Sequence, residues 1–287
     1  MALLEVACFS PEGAILAYDA GADRIELCYD RNSGGTTPPH TWLAALRPRI
    51  GIPIYVMIRP RPGNFIYTDA EFEQMRADLG ALKGRVDGFV LGVLNAQSKV
   101  DVQRTAELVK LASPLPCTFH KAFDETPDLV AALEDVVETG CSSVLSSGGS
   151  SSALAGVDTL SQLVRMSQQR ITVIPGGSLR ASNVATIRAR TQATLYHSSG
   201  IPKGAEEPSV NEIHKMKALL NDNTALTAGR SDSPSPSASR SSDDESPAAH
   251  MINSAVSVGP GQSTIASNVE TVLTTLQGPP VGQGICD

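Results

Sequence analysis

The strongest constraint on the fold is an alternation of short apolar runs with helix-like patterns, repeated eight times between residues 1 and 220. The apolar runs predict strands at residues 3–8, 24–28, 54–59, 86–92, 117–120, 143–146, 172–175 and 193–197. The predicted helices lie near residues 11–20, 40–48, 69–82, 101–111, 127–139, 153–169, 181–189 and 209–220. Strands that alternate with helices favour right-handed β-α-β units around a parallel sheet.

Eight such units predict an α/β fold, a (β/α)8 TIM barrel near its lower size limit. The alternative is an open doubly wound sheet, which more often has a glycine-rich turn after its first strand. Here that turn is Cys8-Phe9-Ser10-Pro11, without glycine, and the glycine-rich turns follow strands six, seven and eight instead. The barrel is therefore the preferred prediction.

Residues 221–287 differ in composition from the rest of the chain. Residues 230–247 read RSDSPSPSASRSSDDESP, and residues 251–287 are rich in Ser, Thr, Gly and Val. Such segments bury too little apolar surface to offset the entropy lost on ordering. We therefore predict a barrel domain at 1–220 and a mostly disordered tail at 221–287, which is either a regulatory or tethering element or a nonessential extension.

Charge and composition exclude several classes of protein. The formal net charge of −7 and the absence of a long basic run argue against nucleic acid and anionic membranes as partners. The sequence has no run of 18 apolar residues, and its start lacks the basic region of a signal peptide. Five scattered cysteines are typical of a reduced chain. We expect a cytoplasmic protein, with the nucleus as a further location, and a homo-oligomer stays open.

The glycine-rich turns predict a binding site for an anion. They read SSGGS after strand six, PGGS after strand seven and HSSG after strand eight. Barrels often bind phosphate through backbone N–H groups of the last two of these loops. The candidate anion-binding residues are Gly148, Gly176, Gly177, His197, Ser198 and Ser199, with Arg61 from the loop after strand three. The alternative is that these glycines only form tight turns.

Alternation along the strands places charged side chains inside the barrel. Alternate residues of a strand face the same side, and the apolar positions are assigned to the helices. The polar residues that this rule places inside are Glu5, Glu26, Arg59, His120 and His197. Buried charges are costly unless they are paired. The cluster is therefore either a structural polar network or a ligand-binding or catalytic site.

A catalytic reading gives these residues roles at the carboxyl ends of the strands, where barrel active sites lie. Arg59 would hold an anionic group through two hydrogen bonds, and His120 would be the general acid/base. Glu26 would orient His120 or act as a second acid/base, and Glu5 completes the set. Lys121 is expected to point away from the interior. Asp124 is expected to cap the following helix or turn.

Several motifs resemble those of the CutC copper-homeostasis family. They are GADRIELC at 21–28, GGTTPP at 34–39, IRPRPGNFIY at 58–67, GVL at 92–94, TFHKAFD at 118–124, LSSGG at 145–149 and HSSG at 197–200. The match runs in order over about residues 1–200. The resemblance implies a cytoplasmic barrel protein linked to copper tolerance that binds Cu(I) through Cys8 and Cys28. Soft thiolates do select Cu(I).

Strand alternation agrees only in part with that copper site. It places Cys28 inside the barrel and Cys8 on the face opposite Glu5, and the spacing of the two matches no metal-binding motif. Core packing is the alternative role of these cysteines. Two functions therefore stay open. One is intracellular copper homeostasis with bound Cu(I) and no organic cofactor. The other is an enzyme acting on a small anionic or phosphorylated metabolite, whose reaction the sequence does not name.

Overall fold

The computed structural model describes residues 2–222, which form an eight-stranded barrel with eight surrounding helices. The strands are β1 (Leu3–Cys8), β2 (Arg24–Leu27), β3 (Ile54–Met57), β4 (Gly88–Leu91), β5 (Cys117–Phe119), β6 (Ser143–Ser146), β7 (Thr172–Pro175) and β8 (Leu195–Ser198). The helices are α1 (Pro11–Asp19), α2 (Trp42–Leu46), α3 (Asp69–Leu82), α4 (Val102–Ala112), α5 (Leu129–Glu138), α6 (Val157–Ser167), α7 (Val184–Thr191) and α8 (Val210–Asn221). The predicted (β/α)8 barrel is confirmed. The predicted disordered tail lies, from residue 223 onward, outside the described residues.

The strands are parallel and pair in chain order from β1 to β7, while β8 pairs with β1. Strands β7 and β8 lie side by side, so the barrel is nearly closed. In the register of β1, Glu5 is opposite both Arg24 of β2 and His197 of β8, and Ala7 is opposite Glu26. Charged residues of three neighbouring strands therefore meet within a few ångströms.

Each strand turns one face to the helices and the other to the barrel interior. Leu4 and Val6 of β1 are fully buried in the main core, which lies between the sheet and the helices. Met57 of β3 and Leu195 of β8 belong to two small clusters inside the barrel. The structure thus agrees with the alternation expected from the sequence, and it leaves the polar positions of the same strands facing inward.

The helix ends follow local capping chemistry. The Ser10 hydroxyl accepts a hydrogen bond from Gly13 N at 2.8 Å and begins α1, with Pro at the first helical position. Thr68 begins α3 with a capping box. Helix α6 begins later than predicted, because Ala153 N donates to the carbonyl of Gly177 in a neighbouring loop. No helix within residues 2–222 is long and apolar enough to cross a bilayer.

Two short 3₁₀ turns shape the mouth of the barrel. Residues Arg31–Ser33 form one after β2, and Lys121–Glu125 form the other after β5. The second begins directly after His120, so the inside–outside alternation of the strand does not extend to the residues that follow.

Candidate functional site

A cavity of about 110 Å³ lies at the carboxyl ends of the strands. Its walls come from strands on all sides of the barrel, through Ala7, Phe9, Glu26, Cys28, Gly34, Met57, Arg59, Phe65, His120, Lys121, Leu145 and His197. The structure therefore brings together four of the five polar residues predicted inside the barrel, Glu26, Arg59, His120 and His197, along with Cys28. The fifth, Glu5, lies behind His197 and is hydrogen-bonded to it.

A larger depression, of about 510 Å³, lies beside α2 and the turn that precedes β4. Two of its charged groups are satisfied by the fold, because Arg47 pairs with Asp87 and Asp87 also accepts a hydrogen bond from Ile54 N. The chemistry of the described residues therefore favours the smaller cavity at the mouth.

One imidazole joins two buried carboxylates on the wall of the cavity. His197 Nδ1 lies 2.7 Å from Glu5 Oε1, and His197 Nε2 lies 3.4 Å from Glu26 Oε2. The second oxygen of Glu5 accepts a hydrogen bond from Arg24 Nε at 2.5 Å. Glu5 lies away from the cavity and is held by two cationic partners, Arg24 and His197. Glu26, on the other side of the His197 ring, faces the cavity.

These contacts separate the pKa values of the two carboxyl groups. For Glu5, burial acts to raise the pKa, but Arg24 and His197 outweigh it and lower the pKa to about 2. For Glu26, burial dominates and, with the nearby charge of Glu5, raises the pKa to about 7 against the attraction of His197. Burial opposes a proton on His197, and the two carboxylates nevertheless raise its pKa. Glu26 therefore exchanges its proton near neutral pH.

The same three residues have ligand atoms within 4.8 Å of one another, a spacing that suits a metal ion. Arg24 already neutralises Glu5, however, and the ring of His197 bridges the two carboxylates. The contacts are those of an ion-pair network, and they leave little negative charge to attract a cation.

His120 lines the cavity as an uncharged donor. Its ring contacts Phe65, with the two centroids 4.8 Å apart, and only 3% of the residue is exposed. Ala122 N donates to Nδ1 at 3.2 Å, so the neutral ring carries its proton on Nε2. Burial, followed by the charge of Arg59, lowers the pKa to about 3. Such a ring is a weak base, which suits the predicted general acid/base role poorly.

The terminal nitrogens of Arg59 are already engaged with backbone carbonyls. Nη1 donates to the carbonyls of Ser33 and Gly35, and Nη2 donates to that of Gly63, each at 2.8 Å. The predicted two-point grip on an anion is therefore not open to these nitrogens. Arg59 instead fastens the loops after β2 and β3, while its charge stays at the cavity. Among residues 2–222, no salt bridge neutralises it with a carboxylate.

The glycine-rich turn after β6 is filled by a carboxylate of the protein itself. Asp124 accepts hydrogen bonds from Ser147 N at 2.9 Å, Gly149 N at 3.0 Å and the Ser146 hydroxyl at 2.6 Å. Lys121 Nζ contacts Asp124 and the Ser147 hydroxyl, both at 2.8 Å. The N–H groups of this turn that the sequence offered to a bound anion are therefore engaged by Asp124.

Two expectations for this stretch are corrected. Lys121 lines the cavity instead of pointing away, because the 3₁₀ turn ends the strand alternation at His120. Asp124 closes the turn after β6, whereas the helix that follows it, α5, is capped by Asp128.

Packing explains the glycines of the predicted anion site. Gly148 and Gly177 take left-handed backbone conformations, with φ of 72° and 105°. A Cβ on Gly176 would lie 2.5 Å from the side chain of Leu145 and 3.1 Å from that of His197. Turn geometry and close packing therefore account for glycine at all three positions, as in the alternative reading of these turns.

The remaining anion candidates have partners within the protein. The hydroxyls of Ser198 and Ser199 lie 3.2 and 3.5 Å from the guanidinium of Arg180, a residue that the sequence did not single out. Arg61 pairs with Glu71 at 2.5 Å in the loop before α3, outside the cavity lining. These three candidates stabilise loops at the rim.

Comparison with known proteins shows the family to which this chain belongs. The sequence model of the CutC family matches residues 2–202. The chain belongs to the CutC family. A CutC protein of Xanthomonas campestris pv. campestris is 41% identical over 220 residues, covering 76% of this chain and 90% of that protein. The human protein named copper homeostasis protein cutC homolog is 43% identical over 199 residues, covering 69% of this chain and 72% of its own. The crystal structure of CutC from Streptococcus agalactiae matches with a TM-score of 0.65 and 30% identity, covering 69% of this chain and 99% of that one.

The two cysteines that the CutC resemblance assigns to Cu(I) lie on opposite faces of the sheet. Cys8 packs in the outer core, and its thiol lies 3.5 Å from the carbonyl of Val6. Cys28 lines the cavity in a cluster with Met57. Burial, helped by nearby carboxylates, raises the pKa of both thiols well above its usual value. The pair therefore does not fit a Cu(I) site made of two thiolates.

Sequence reasoning missed Arg24 in this CutC barrel, although its signal was present. Arg24 shares its strand face with Glu26 and Cys28, so the alternation that placed those two inside also places Arg24 inside. Its guanidinium lies over the ring of Tyr55, 4.1 Å from the centroid, and reaches Glu5. Arg24 therefore completes the ion-pair network.

Proposed function

We propose that this chain is an enzyme that moves a proton on a small anionic or phosphorylated metabolite bound at the mouth of the barrel. The observation that carries the proposal is the buried carboxyl group of Glu26, which faces the cavity with His197 and Glu5 behind it. Burial raises its pKa to about 7, where a carboxyl group can both accept and release a proton at neutral pH.

The network behind Glu26 suits this work. The ring of His197 is fixed by its 2.7 Å contact with Glu5, and Arg24 holds Glu5 in its ionised form. A positioned imidazole beside Glu26 steadies the carboxylate when the proton leaves it. The arrangement supports the same roles as a catalytic acid/base with its orienting partner.

The charge around the cavity favours an anionic substrate. Arg59 and Lys121 both line it; Lys121 is paired with Asp124, whereas within the described residues no carboxylate forms a salt bridge with Arg59. An unpaired buried cation beside an open space favours a ligand of opposite charge. The cavity of about 110 Å³ sets a size limit, so the reacting part of the substrate is small.

Thermal-shift screening of the full chain against small anionic and phosphorylated metabolites tests this function. A ligand that binds only the folded protein raises the melting temperature, by a shift that grows with ligand concentration. The Glu26→Gln variant is expected to bind that ligand and to lose turnover, whereas Glu73→Gln, at an exposed position of α3, keeps both. Full turnover by Glu26→Gln, or no stabilisation by any anion, would exclude the proposal.

A second candidate is a role in copper homeostasis through Cu(I), which the CutC family and the name of the human relative support. The thiol of Cys28 and the thioether of Met57 line one wall of the cavity and belong to the same buried cluster. Soft sulfur donors select Cu(I). This sulfur pair replaces the pair of cysteines that the resemblance implied.

Competition with a Cu(I) chelator under anaerobic, reducing conditions tests the copper candidate. Cys28→Ser and Met57→Leu are expected to weaken Cu(I) binding by about tenfold or more, while Cys8→Ser leaves it unchanged. Equal binding by the wild type and Cys28→Ser removes the cavity as the copper site. Loss of binding in Cys8→Ser alone, with its fold intact, would restore the outer-core cysteine as a ligand.

A further inference from the structure

The Nε2–H group of His120 is a buried hydrogen-bond donor that takes no part in the proton transfer proposed at Glu26. Within residues 2–222, five buried side-chain polar atoms lack a hydrogen-bond partner, and His120 Nε2 is one of them. Leaving such a donor unpaired inside a protein is unfavourable, so native structures rarely keep one without a use. Since His120 lines the cavity, a ligand atom is the natural partner.

The surroundings fix the orientation of this donor. Nδ1 is committed to Ala122 N at 3.2 Å, which keeps the proton of the neutral ring on Nε2. Phe65 packs on one side of the ring, and the absence of a side chain at Gly92 makes room for it on another. His120 follows β5, whereas Glu26 belongs to β2, so the two residues occupy separate walls of the same cavity.

Building on the proton transfer proposed above, we propose that His120 Nε2–H donates a hydrogen bond to the carbonyl oxygen of the substrate, a small anionic aldehyde or ketone whose neighbouring carbon faces Glu26. The reaction is enolisation. Glu26 takes a proton from the carbon next to the carbonyl group, and the electron pair of that C–H bond forms a carbon–carbon double bond. The π pair of the carbonyl group moves to oxygen and gives an enolate.

The enolate then recovers a proton from Glu26, either at the original carbon or at the neighbouring one. Return to the original carbon exchanges the hydrogen. When the original carbon carries a hydroxyl group, return to the former carbonyl carbon gives an isomer, because the hydroxyl proton passes to the former carbonyl oxygen and the hydroxyl oxygen becomes the new carbonyl oxygen. Atoms and electrons balance within the substrate and Glu26, so no oxidant, reductant or second substrate is needed.

A neutral imidazole suits the developing oxyanion. A fixed N–H in a site with little water stabilises charge that appears on oxygen during the reaction, without prior reorganisation. A neutral imidazole also keeps its proton while it donates the hydrogen bond. Its acidity is closer to that of an enol than the acidity of an imidazolium is. The charge of Arg59, beside His120, adds to the stabilisation of the enolate.

Deuterium exchange in heavy water tests the reaction with two named probes, glycolaldehyde phosphate and pyruvate, followed by proton NMR on the full chain. The wild type is expected to exchange hydrogens next to the carbonyl group of at least one probe, and Glu73→Gln to match it. His120→Phe is expected to lower the rate by about 100-fold or more, as for loss of one oxyanion donor. His120→Gln, which keeps an N–H donor, recovers part of that rate. Equal exchange by His120→Phe and the wild type would overturn the role of His120.

Oxalate, a planar dianion that mimics an enediolate, supplies a readout that does not depend on turnover. Its affinity is expected to fall about tenfold in His120→Phe and to persist in Glu26→Gln. In the wild type, the Nε2 proton of His120 should shift in the ¹⁵N–¹H spectrum when oxalate binds. An unchanged signal at saturating oxalate contradicts the inference, and it decides the matter if His120→Phe does not fold.

The two proposals fail separately. If a metabolite without a carbonyl group is turned over and Glu26→Gln abolishes that turnover, the proton-transfer function stands and the carbonyl assignment is wrong. If oxalate binds through His120 but Glu26→Gln exchanges hydrogen as fast as the wild type, the donor stands and Glu26 is not the base.

Discussion

Gly92 and His120 are in direct contact: a Cβ on Gly92 would lie 2.7 Å from both Nδ1 and Cε1 of the imidazole. Gly92→Ala therefore has to displace the ring of His120 from its contacts with Phe65 and Ala122 N, and we expect a loss of about 1–3 kcal/mol in the free energy of unfolding. Urea denaturation measures it.

Gly80→Ala is the matched control for that change. Gly80 lies within α3, and no atom of the described residues beyond its own helix lies within 4 Å of a Cβ placed there. Because alanine favours a helix more than glycine does, Gly80→Ala should stabilise by up to about 1 kcal/mol. Destabilisation of equal size in the two variants would contradict the contact between Gly92 and His120.

The two carboxyl groups beside His197 should give stability profiles of opposite sign. The pKa of Glu26 rises on folding from the usual 4.5 to about 7, so the native state holds an extra proton between these values. Stability linked to Glu26 is therefore lost as the pH rises through this window. In Glu26→Gln the free energy of unfolding should fall less as the pH rises. At about pH 8 the variant should be more stable than the wild type by on the order of 1–3 kcal/mol.

Glu5→Gln should behave in the opposite way. Folding lowers the pKa of Glu5 from the usual 4.5 to about 2, so its contribution is present above pH 4.5 and is lost as the pH falls toward 2. Removing its charge leaves Arg24 buried without its carboxylate, which should cost about 3–5 kcal/mol at neutral pH. Thermal unfolding of both variants across the pH range checks the two signs, and parallel profiles would refute the assignment.

Asp124→Ala should leave a turn that binds an added carboxylate. The variant loses the hydrogen bonds from Ser146, Ser147 and Gly149, and we expect a loss of about 1–3 kcal/mol. Formate at high concentration should restore part of the melting temperature of the variant and leave that of the wild type unchanged. Asp128→Ala, which removes the exposed cap of α5, costs about 1 kcal/mol and is the control that formate should not rescue. Equal responses of the two variants to formate would count against a carboxylate-binding site in the turn after β6.

Cys8, at the end of β1, and Cys28, directly after β2, should differ in reactivity toward thiol reagents. Both thiols are buried with raised pKa values, so each should react with a small thiol reagent far more slowly in the native protein than in denaturant. Cys28, which lines the cavity, should react before Cys8, which packs in the outer core. Mass spectrometry of the labelled peptides over time gives the order, and faster labelling of Cys8 would reverse the assignment of faces.

Much of the site was predictable because strand alternation is a local rule. It placed Glu5, Glu26 and His197 on the inner face, and the parallel register then brought them together. The same rule failed at Lys121, since the chain leaves the extended conformation immediately after His120. Local patterns carry no sign of where a strand stops within one residue.

Sequence patterns could not predict that Asp124 occupies the glycine-rich turn after β6. Asp124 and Ser147 are 23 residues apart, and only the pairing of β5 with β6 brings the carboxylate to the backbone N–H groups. The pKa of His120 depends likewise on its burial and on Arg59, which follows β3. Both features are properties of the closed barrel and not of any one segment.

The placement of Cys8 and Cys28 on opposite faces has a consequence for oxidative stress. The backbone of Cys28 is hydrogen-bonded to that of Cys8, so the two residues are immediate neighbours across the sheet, yet their side chains leave it in opposite directions. A disulfide needs the two Cβ atoms within about 4.5 Å and directed toward each other. Among residues 2–222, an oxidant that enters the mouth of the barrel therefore meets the thiol of Cys28 on a face that the thiol of Cys8 does not share, so its oxidation should not cross-link the first two strands.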